Sequence, residues 1–469
     1  MNILITGGSG FIGESIVLAL LRLGHHLVLL SRNPKRLENK YGKAVRCYCW
    51  DALTGLPPQI AFEGVDAVIN LMGEGVADKR WTKRQKQKIY ESRVIGTQNL
   101  VEGINHYGDS VSTVVSTSAI GFYNHKQTDE ITETSPPSKT FLSQVCRDWE
   151  VALNNLKSKN SIRTVIVRIG VVLGDGGALT KLITPFLYGF GGQIGTGRQW
   201  LNWIHLSDLT QLFVMAVENK SYSGIYNGVS PENVRNTLFT KTLAKVLNRT
   251  SFFRVPAFVL KILIGEMSDE ILYGQRVHPR KLEEAGFLFQ FKNLESALEN
   301  ALNIKFILHL NKKIRTHRLH SLQYSQTPSG QVFEFFSNAQ NLEKITPPFL
   351  KFKVDSQSTN PLKKGSIISY TLRLRGFPIK WQSLICDWAP NTSFVDTQVK
   401  GPYKLWHHTH RFLCYKGGTF IEDDVYYALP NIFIISDIAS IFVKKDIVKI
   451  FKFRKQAIQQ HFEKAGIKQ

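Results

Sequence analysis

The residues best placed to do chemistry stand near the start of the chain: Thr6-Gly7-Gly8-Ser9-Gly10-Phe11-Ile12-Gly13. The short apolar run Asn2–Thr6 precedes them, and a helical pattern through Leu23 follows. Gly7 permits a tight turn, Gly10 lets the backbone approach a pyrophosphate, and Gly13 allows helix and strand to pack closely. The open N–H groups of the helix then face the anion. Gly7, Gly8, Ser9, Gly10, Phe11, Ile12 and Gly13 are therefore the expected phosphate cradle. At the end of the next apolar run stand Ser31 and Arg32, with Lys35 and Arg36 close by, where an NAD site would carry an acid for the ribose hydroxyls. Arginine suits a 2′-phosphate, so NADP(H) is the expected cofactor. Asp51 ends the third run, placed to meet the adenine amino group. Asn70-Leu71-Met72-Gly73 ends the fourth, beside the adenosine ribose.

These positions need a scaffold. The strand-like runs Asn2–Thr6, His26–Leu30, Ala44–Trp50, Ala67–Leu71, Val111–Ser116 and Thr164–Ile169 alternate with helical patterns. That alternation predicts βαβ units in a parallel, doubly wound α/β sheet, a Rossmann domain over residues 1–303. Doubly wound sheets bind ligands at the carboxyl ends of their strands. Beyond residue 303 the texture changes. A helical segment Gly330–Ser337 and the pair Pro347-Pro348 lead into period-two runs at Ser366–Arg375, Ile379–Trp388, Ser393–Val399, Leu405–Leu413 and Thr419–Ala428. Turn signals at Pro390-Asn391, Gly401-Pro402 and Gly417-Gly418 separate them. A last helical stretch covers Ser436–Ala465. Antiparallel strands closed by one long helix predict an α+β domain over residues 304–469.

Composition narrows the partners. A chain of 469 residues exceeds one ordinary core. The net charge is +22, of which about +14 falls from Lys305 onward. A basic balance permits nucleic acid, anionic lipid or acidic metabolites. No zinc finger, RNA-recognition signature or basic-region helix accompanies it, so no specific nucleic-acid partner is expected. The five cysteines are odd in number and form no CxxC pair. Cys47 and Cys49 alternate along one run and should share a buried face, and a reduced compartment fits them. The first residues lack the basic start of a signal peptide. The apolar run Asn431–Val443 is broken by Asp437 and too short to span a bilayer. The expectation is a cytoplasmic protein with no transmembrane segment.

Several segments together carry a family resemblance. They are GGSGFIG at Gly7–Gly13, NLMGEGVADKRWTKRQKQKIYESR at Asn70–Arg93, STSAIGFY at Ser116–Tyr123, WIHLSD at Trp203–Asp208 and GQRVHPRKLEEAGF at Gly274–Phe287. The chain resembles the epimerase family proteins, an atypical branch of the extended short-chain dehydrogenase/reductases related to NAD-dependent epimerases and dehydratases. Some members are labelled cell-division-inhibitor homologues. The second domain resembles a START-like, helix-grip domain of the polyketide cyclase/dehydrase kind, through Pro347–Leu350, Tyr370–Gly376 and Gly401–His410.

The resemblance implies roles for particular residues. Short-chain reductases use a Ser or Thr, a Tyr, and a Lys four residues after the Tyr, the Lys lowering the Tyr pKa for proton exchange. Ser118 stands at the serine position. By register, Leu142 replaces the tyrosine and Cys146 the lysine, which leaves Tyr123 as the expected substitute acid. Arg168 joins the cofactor residues. Glu74, Arg80, Trp81, His205 and Arg276 are the expected substrate contacts, with Asp208 beside His205 in the same motif; His205 also fits a helix cap. The implied reaction is hydride transfer on a carbonyl or sugar-nucleotide small molecule. The rivals are an NADP(H) redox sensor without turnover and a cell-division scaffold. In the second domain, alternating aromatic residues imply a pocket for a lipophilic ligand, with Arg373, Arg375 and Lys380 at its mouth to meet an acidic head group. His407, His408 and His410 have no carboxylate or cysteine at useful spacing along the chain, so no metal is expected.

Overall fold

In the computed structural model the first part forms a seven-stranded parallel sheet, whose inner strands are near-continuous apolar runs buried on both faces. They are β1 (Asn2–Thr6), β2 (His26–Ser31), β3 (Val45–Cys49), β4 (Ala67–Asn70), β5 (Thr113–Ala119), β6 (Arg163–Ile169) and β7 (Gly224–Gly228). Their order is β7-β6-β5-β4-β1-β2-β3, every pairing parallel. The order reverses at β1, between β2 and β4, which opens a crevice above the carboxyl ends of β1 and β4. The helices include α1 (Phe11–Arg22), α2 (Pro34–Tyr41), α3 (Lys83–Tyr107), α4 (Phe141–Leu153), α5 (Gly177–Leu187), α6 (Leu206–Glu218), α7 (Asn236–Leu247) and α8 (Ala257–Ile264). Along α1, Ile16, Val17, Leu20 and Leu21 recur at helical spacing and are buried. Leu4, Val28, Val68 and Val114 of the sheet share a core with Leu100, Val101 and Ile104 of α3.

The described residues are 1–124, 130–156, 162–307, 312–374, 376–430 and 436–466. They divide into two units, 1–37 with 45–302, and 38–44 with 303–469. No described helix is long and apolar enough to cross a membrane. Residues 431–435 of the apolar run, and Arg375, lie outside the described residues. The sheet contains a strand the pattern does not reveal, β7, whose five residues begin and end in glycine. Cys47 and Cys49 do not share a buried face. β3 is the edge of the sheet, and Cys49 is exposed there.

The second unit is an antiparallel sheet of β8 (His317–Ser325), β9 (Lys353–Gln357), β10 (Ile367–Leu374), β11 (Phe377–Ala389), β12 (Ser393–Lys400), β13 (Leu405–Tyr415) and β14 (Gly418–Ala428). The order is β8-β14-β13-β12-β11-β10-β9. Two helices supply apolar partners, α9 (Ser329–Phe336) and the 31-residue α10 (Ser436–Gly466). Ile458 and Phe462 of α10 pack with Phe333 and Phe336 of α9 and with Phe394 and Phe412 of the sheet. About two to three turns further back, Ile447 and Phe451 pack on Val425 and Tyr427. The spacing of these four positions keeps them on one helical stripe.

Candidate functional site

Gly7, with φ of +69°, turns the chain out of β1, and a Cβ there would stand 2.6 Å from the Leu71 carbonyl oxygen. Gly10 N–H closes the turn on Gly7 O at 3.0 Å. A Cβ on Gly13 would overlap that same Gly7 oxygen. No side chain caps α1 at Gly10, so its first N–H groups stay open to an anion. Arg32 follows β2 in an exposed position, and Asn33 N–H donates to Ser31 Oγ at 3.1 Å. Asp51 lies two residues past β3, where its carboxylate accepts from Leu53 N–H at 3.1 Å and shapes the turn. Asn70 is fully buried. Its Oδ1 accepts from Thr6 Oγ1 at 2.9 Å, and its Nδ2 donates to Thr97 Oγ1 and Ser116 Oγ. It therefore braces β1 against β4 and β5, while Leu71, Met72 and Gly73 continue along the crevice wall. Gly73 lies under the Arg93 guanidinium, which donates to Glu74 O at 2.9 Å.

Ser118 ends β5 with its Oγ donating to Glu150 Oε1 at 2.6 Å. Glu150, on α4, also takes a bidentate pair from Arg168 at 2.8 and 2.7 Å. Arg168 is almost wholly buried, stacks over Phe122 and donates to Tyr123 OH at 2.8 Å. Arg168 thus directs its guanidinium to the protein's own carboxylate and phenol. Tyr123 is 1% exposed and donates to Asn227 Oδ1 at 2.7 Å. Burial pushes its phenol up to about 12 in spite of Arg168, so it is poorly matched to proton exchange near neutrality. Cys146, at the lysine position, is buried, and burial together with Glu150 pushes its thiol up to about 12. Leu142, at the tyrosine position, joins the apolar cluster of Trp81, Val145 and Met267.

The remaining expected contacts separate. Trp81 donates to Val76 O at 2.9 Å and meets Phe141 edge-on, so it builds the wall of the α3–α4 end. Arg80 is exposed. Arg276 is exposed beside the Trp200 ring, in the two-residue strand Arg276–Val277. His205 caps α6, its Nδ1 accepting from Ser207 N–H at 3.1 Å while the ring stacks on Phe291. Burial holds its imidazole down to about 4. Its geometry is that of a helix cap. Asp208 accepts from Gln290 and Phe291 N–H and pins that loop. The sequence reading missed Glu150 and Asn227, which it could not connect to Ser118 and Tyr123 across 32 and 104 positions. It also missed Glu270, whose carboxyl burial pushes up to about 7, helped by Asp269 and Glu266.

The second unit holds a cavity of about 160 Å³. Phe336, Tyr370, Trp381, Phe394, Trp406 and Phe451 supply aromatic wall, while Asp396, His408, His410 and Arg454 make one part of it polar. Two expectations change here. Leu372, Leu374 and Ile379 line the cavity, whereas Arg373 and Lys380 alternate to the exposed side. Among the described residues, the cation that lines the cavity is Arg454 of α10. The histidines also have carboxylate neighbours, from the flanking strands instead of nearby in sequence. Asp396 lies on β12 and Asp423 on β14, either side of β13. His408 Nε2 meets Asp423 Oδ1 at 3.0 Å and His410 Nε2 meets Asp396 Oδ2 at 3.2 Å. Burial and the adjacent His410 push His408 down to about 4. Burial works against ionised Asp423, but Arg454 and both histidines hold it well below the usual carboxylate range.

Comparison with known proteins addresses the first unit. Residues 3–227 match the model of the NAD dependent epimerase/dehydratase family, and residues 255–301 match a domain of unknown function, DUF1731. The epimerase family protein YfhF of Bacillus subtilis is 39% identical over 303 residues, 64% of this chain and 98% of that protein. A chloroplastic SDR39U1 homolog of Arabidopsis thaliana, also called an epimerase family protein, is 36% identical over 310 residues, 64% of this chain and 86% of that one. The crystal structure of human epimerase family protein SDR39U1 (isoform 2) with NADPH superposes with a TM-score of 0.58 at 33% identity, covering 64% of this chain and 99% of that one.

Proposed function

The chain belongs, through its N-terminal unit, to the NAD dependent epimerase/dehydratase family alongside the epimerase family proteins, and from this premise we propose an NADP(H)-dependent oxidoreductase or epimerase-like activity on a carbonyl or sugar-nucleotide substrate. The observation that carries the cofactor choice is the Gly7–Gly13 turn leading into the uncapped α1, with exposed Arg32 and no acid at the end of β2. The human relative solved with NADPH supports it. A guanidinium pairs with a 2′-phosphate through two hydrogen bonds, which NADH cannot offer. NADPH should bind at least about tenfold tighter than NADH, or about 1.4 kcal/mol. Arg32→Asp should erase or reverse that ratio in a fluorescence titration. Equal affinities in the wild type would overturn the reading.

Ser118 is the proposed contact to the reacting carbonyl, held in rotamer by Glu150. Glu74, Arg80, Trp81 and Arg276 are the proposed substrate side. One observation favours a second reading, an NADP(H) sensor without turnover. Leu142 cannot exchange a proton, and Cys146 is buried with its thiol raised, so the usual proton-transfer pair has no replacement at those positions.

For the second unit we propose a START-like helix-grip fold holding an apolar ligand, a domain spanning residues 304–469. Its support is the cavity between antiparallel sheet and long helix, with aromatic walls and one reachable guanidinium. An apolar dye should bind the full chain and be displaced by fatty or aromatic acids. Leu372→Trp, which fills the cavity, should abolish the signal. Unchanged dye binding in that variant would place the dye elsewhere.

A further inference from the structure

The polar part of the cavity has a coordination geometry of its own. His408 and His410 stand two residues apart on β13, so both rings project to one face of the sheet. Asp396 and Asp423 project to the same face from the strands on either side, each registered with one of the two histidines: Asp396 opposite His408, and Asp423 opposite His410. His408 Nδ1 and His410 Nε2 lie 3.5 and 3.2 Å from the same oxygen, Asp396 Oδ2. These three ligand atoms all fall within 4.8 Å of one another. Bonds of about 2.1 Å at a tetrahedral angle place neighbouring ligand atoms about 3.4 Å apart, which matches the two distances to Asp396 Oδ2.

The opposite ring atoms carry the second observation. His408 Nε2 lies 3.0 Å and His410 Nδ1 2.9 Å from one oxygen, Asp423 Oδ1. A neutral imidazole carries a single ring proton. Two aligned hydrogen bonds use both protons, from His408 to Asp423 and from His410 to Asp396. His410 Nδ1 is buried with no aligned hydrogen bond, although it lies 2.9 Å from Asp423 Oδ1. A cation among His408 Nδ1, His410 Nε2 and Asp396 Oδ2 resolves this with one change of tautomer. His410 then turns its N–H to Asp423, whose carboxylate accepts from both imidazoles on the side away from the ion and so orients them. Ser383 Oγ lies 3.4 Å from the other Asp396 oxygen and steadies it. Phe394 stacks on His410 at 4.2 Å and Phe451 meets His408 at 5.7 Å, which limits ring rotation.

We propose that Asp396, His408 and His410 bind a divalent transition-metal ion of the zinc or iron(II) class at the polar end of the cavity, with open coordination positions towards the apolar wall. Two imidazoles and one carboxylate suit such ions, and three protein ligands leave room for an exogenous one. Asp396 and Asp423 with Arg454 give the empty cluster a charge near −1, and a divalent ion brings it to +1. The open position therefore favours an anionic oxygen donor on a hydrophobic molecule. The metal site stands on ligand geometry alone and does not depend on an apolar ligand being present.

The test uses the untagged full chain, stripped with chelator, dialysed against Zn²⁺ or Co²⁺ and measured by plasma mass spectrometry and visible absorption. One ion per chain is expected, with cobalt d–d bands in the visible region. His410→Ala and Asp396→Asn should weaken binding more than about 100-fold, and Asp423→Asn by about 10–100-fold with full stoichiometry at saturation. Tryptophan fluorescence and the calorimetric transition that NADPH does not shift report whether the second unit of each variant is folded. If the ligand variants unfold, wild-type stoichiometry and the Asp423→Asn shift still decide. Less than a tenth of an ion per loaded wild-type chain, or wild-type affinity in folded His410→Ala, would overturn the site and leave a proton-sharing ion-pair cluster.

Discussion

At the residue scale, burial changes what familiar groups can do. Glu270 sits on the short helix Ser268–Leu272, and burial, with Asp269 and Glu266 as like charges, pushes its carboxyl up to about 7. The protonated form is thus favoured in the folded state. Its contribution to stability is full below the unfolded value near 4.5 and is lost as pH rises through about 7. Unfolding midpoints measured from pH 4 to 8 should fall across that window in the wild type. They should stay flatter in Glu270→Gln, and parallel curves would remove Glu270 as the cause. Nothing in the local sequence marks this glutamate, because the shift comes from what packs around it. The glycines are the opposite case. Gly7 and Gly13 were readable because their constraint is local: a turn with positive φ, and a carbonyl that leaves no room for Cβ. Ser118 was readable as a position but not as an interaction, since its partner Glu150 comes from another element.

At the scale of elements, legibility followed the kind of burial. β1, β2, β4, β5 and β6 are covered on both faces and read as apolar runs. β8 does not, because its polar side chains are paired across the sheet. Arg318 holds Asp424 at 2.6 and 3.0 Å, and His320 holds Glu422 at 2.9 Å. The run Glu422-Asp423-Asp424 inside an otherwise apolar strand was the available signal for these pairs and for the histidine cluster. Helix ends show the same dependence on distant partners. Arg163, at the start of β6, donates to the carbonyls of Ala216, Val217 and Tyr222 and so satisfies the end of α6. A cation there also complements the helix dipole. Arg163→Met should cost about 1.5–3 kcal/mol in urea unfolding, the value of hydrogen bonds to a charged group. A shift under about 0.5 kcal/mol would show that water replaces it.

At the scale of the molecule, each unit carries its own apolar core, one centred on the parallel sheet and α3, the other on the antiparallel sheet with α9 and α10. Scanning calorimetry should therefore resolve two transitions. NADPH at about 100 times its Kd should raise only one of them, by about 2.7 kcal/mol at that ligand excess. A single transition, or a shift in both, would mean the cores unfold together. The change of texture near residue 303 was legible because parallel α/β and antiparallel strands bury different patterns; the partners that strands acquire from afar were not. That distance has a further consequence in the second sheet. From β9 to β14 each strand pairs with its successor in the chain, so hairpins can close one after another as the polypeptide emerges from the ribosome. β8 is made first, yet its partner β14 lies about a hundred residues downstream, from Ser325 opposite Thr419 to His317 opposite Tyr427. At about 5–20 residues per second it waits roughly 5–20 s for that edge to exist. Its arginine and histidine side chains keep the waiting strand hydrated, so the charges that later pair inside the sheet first act as its protection during synthesis.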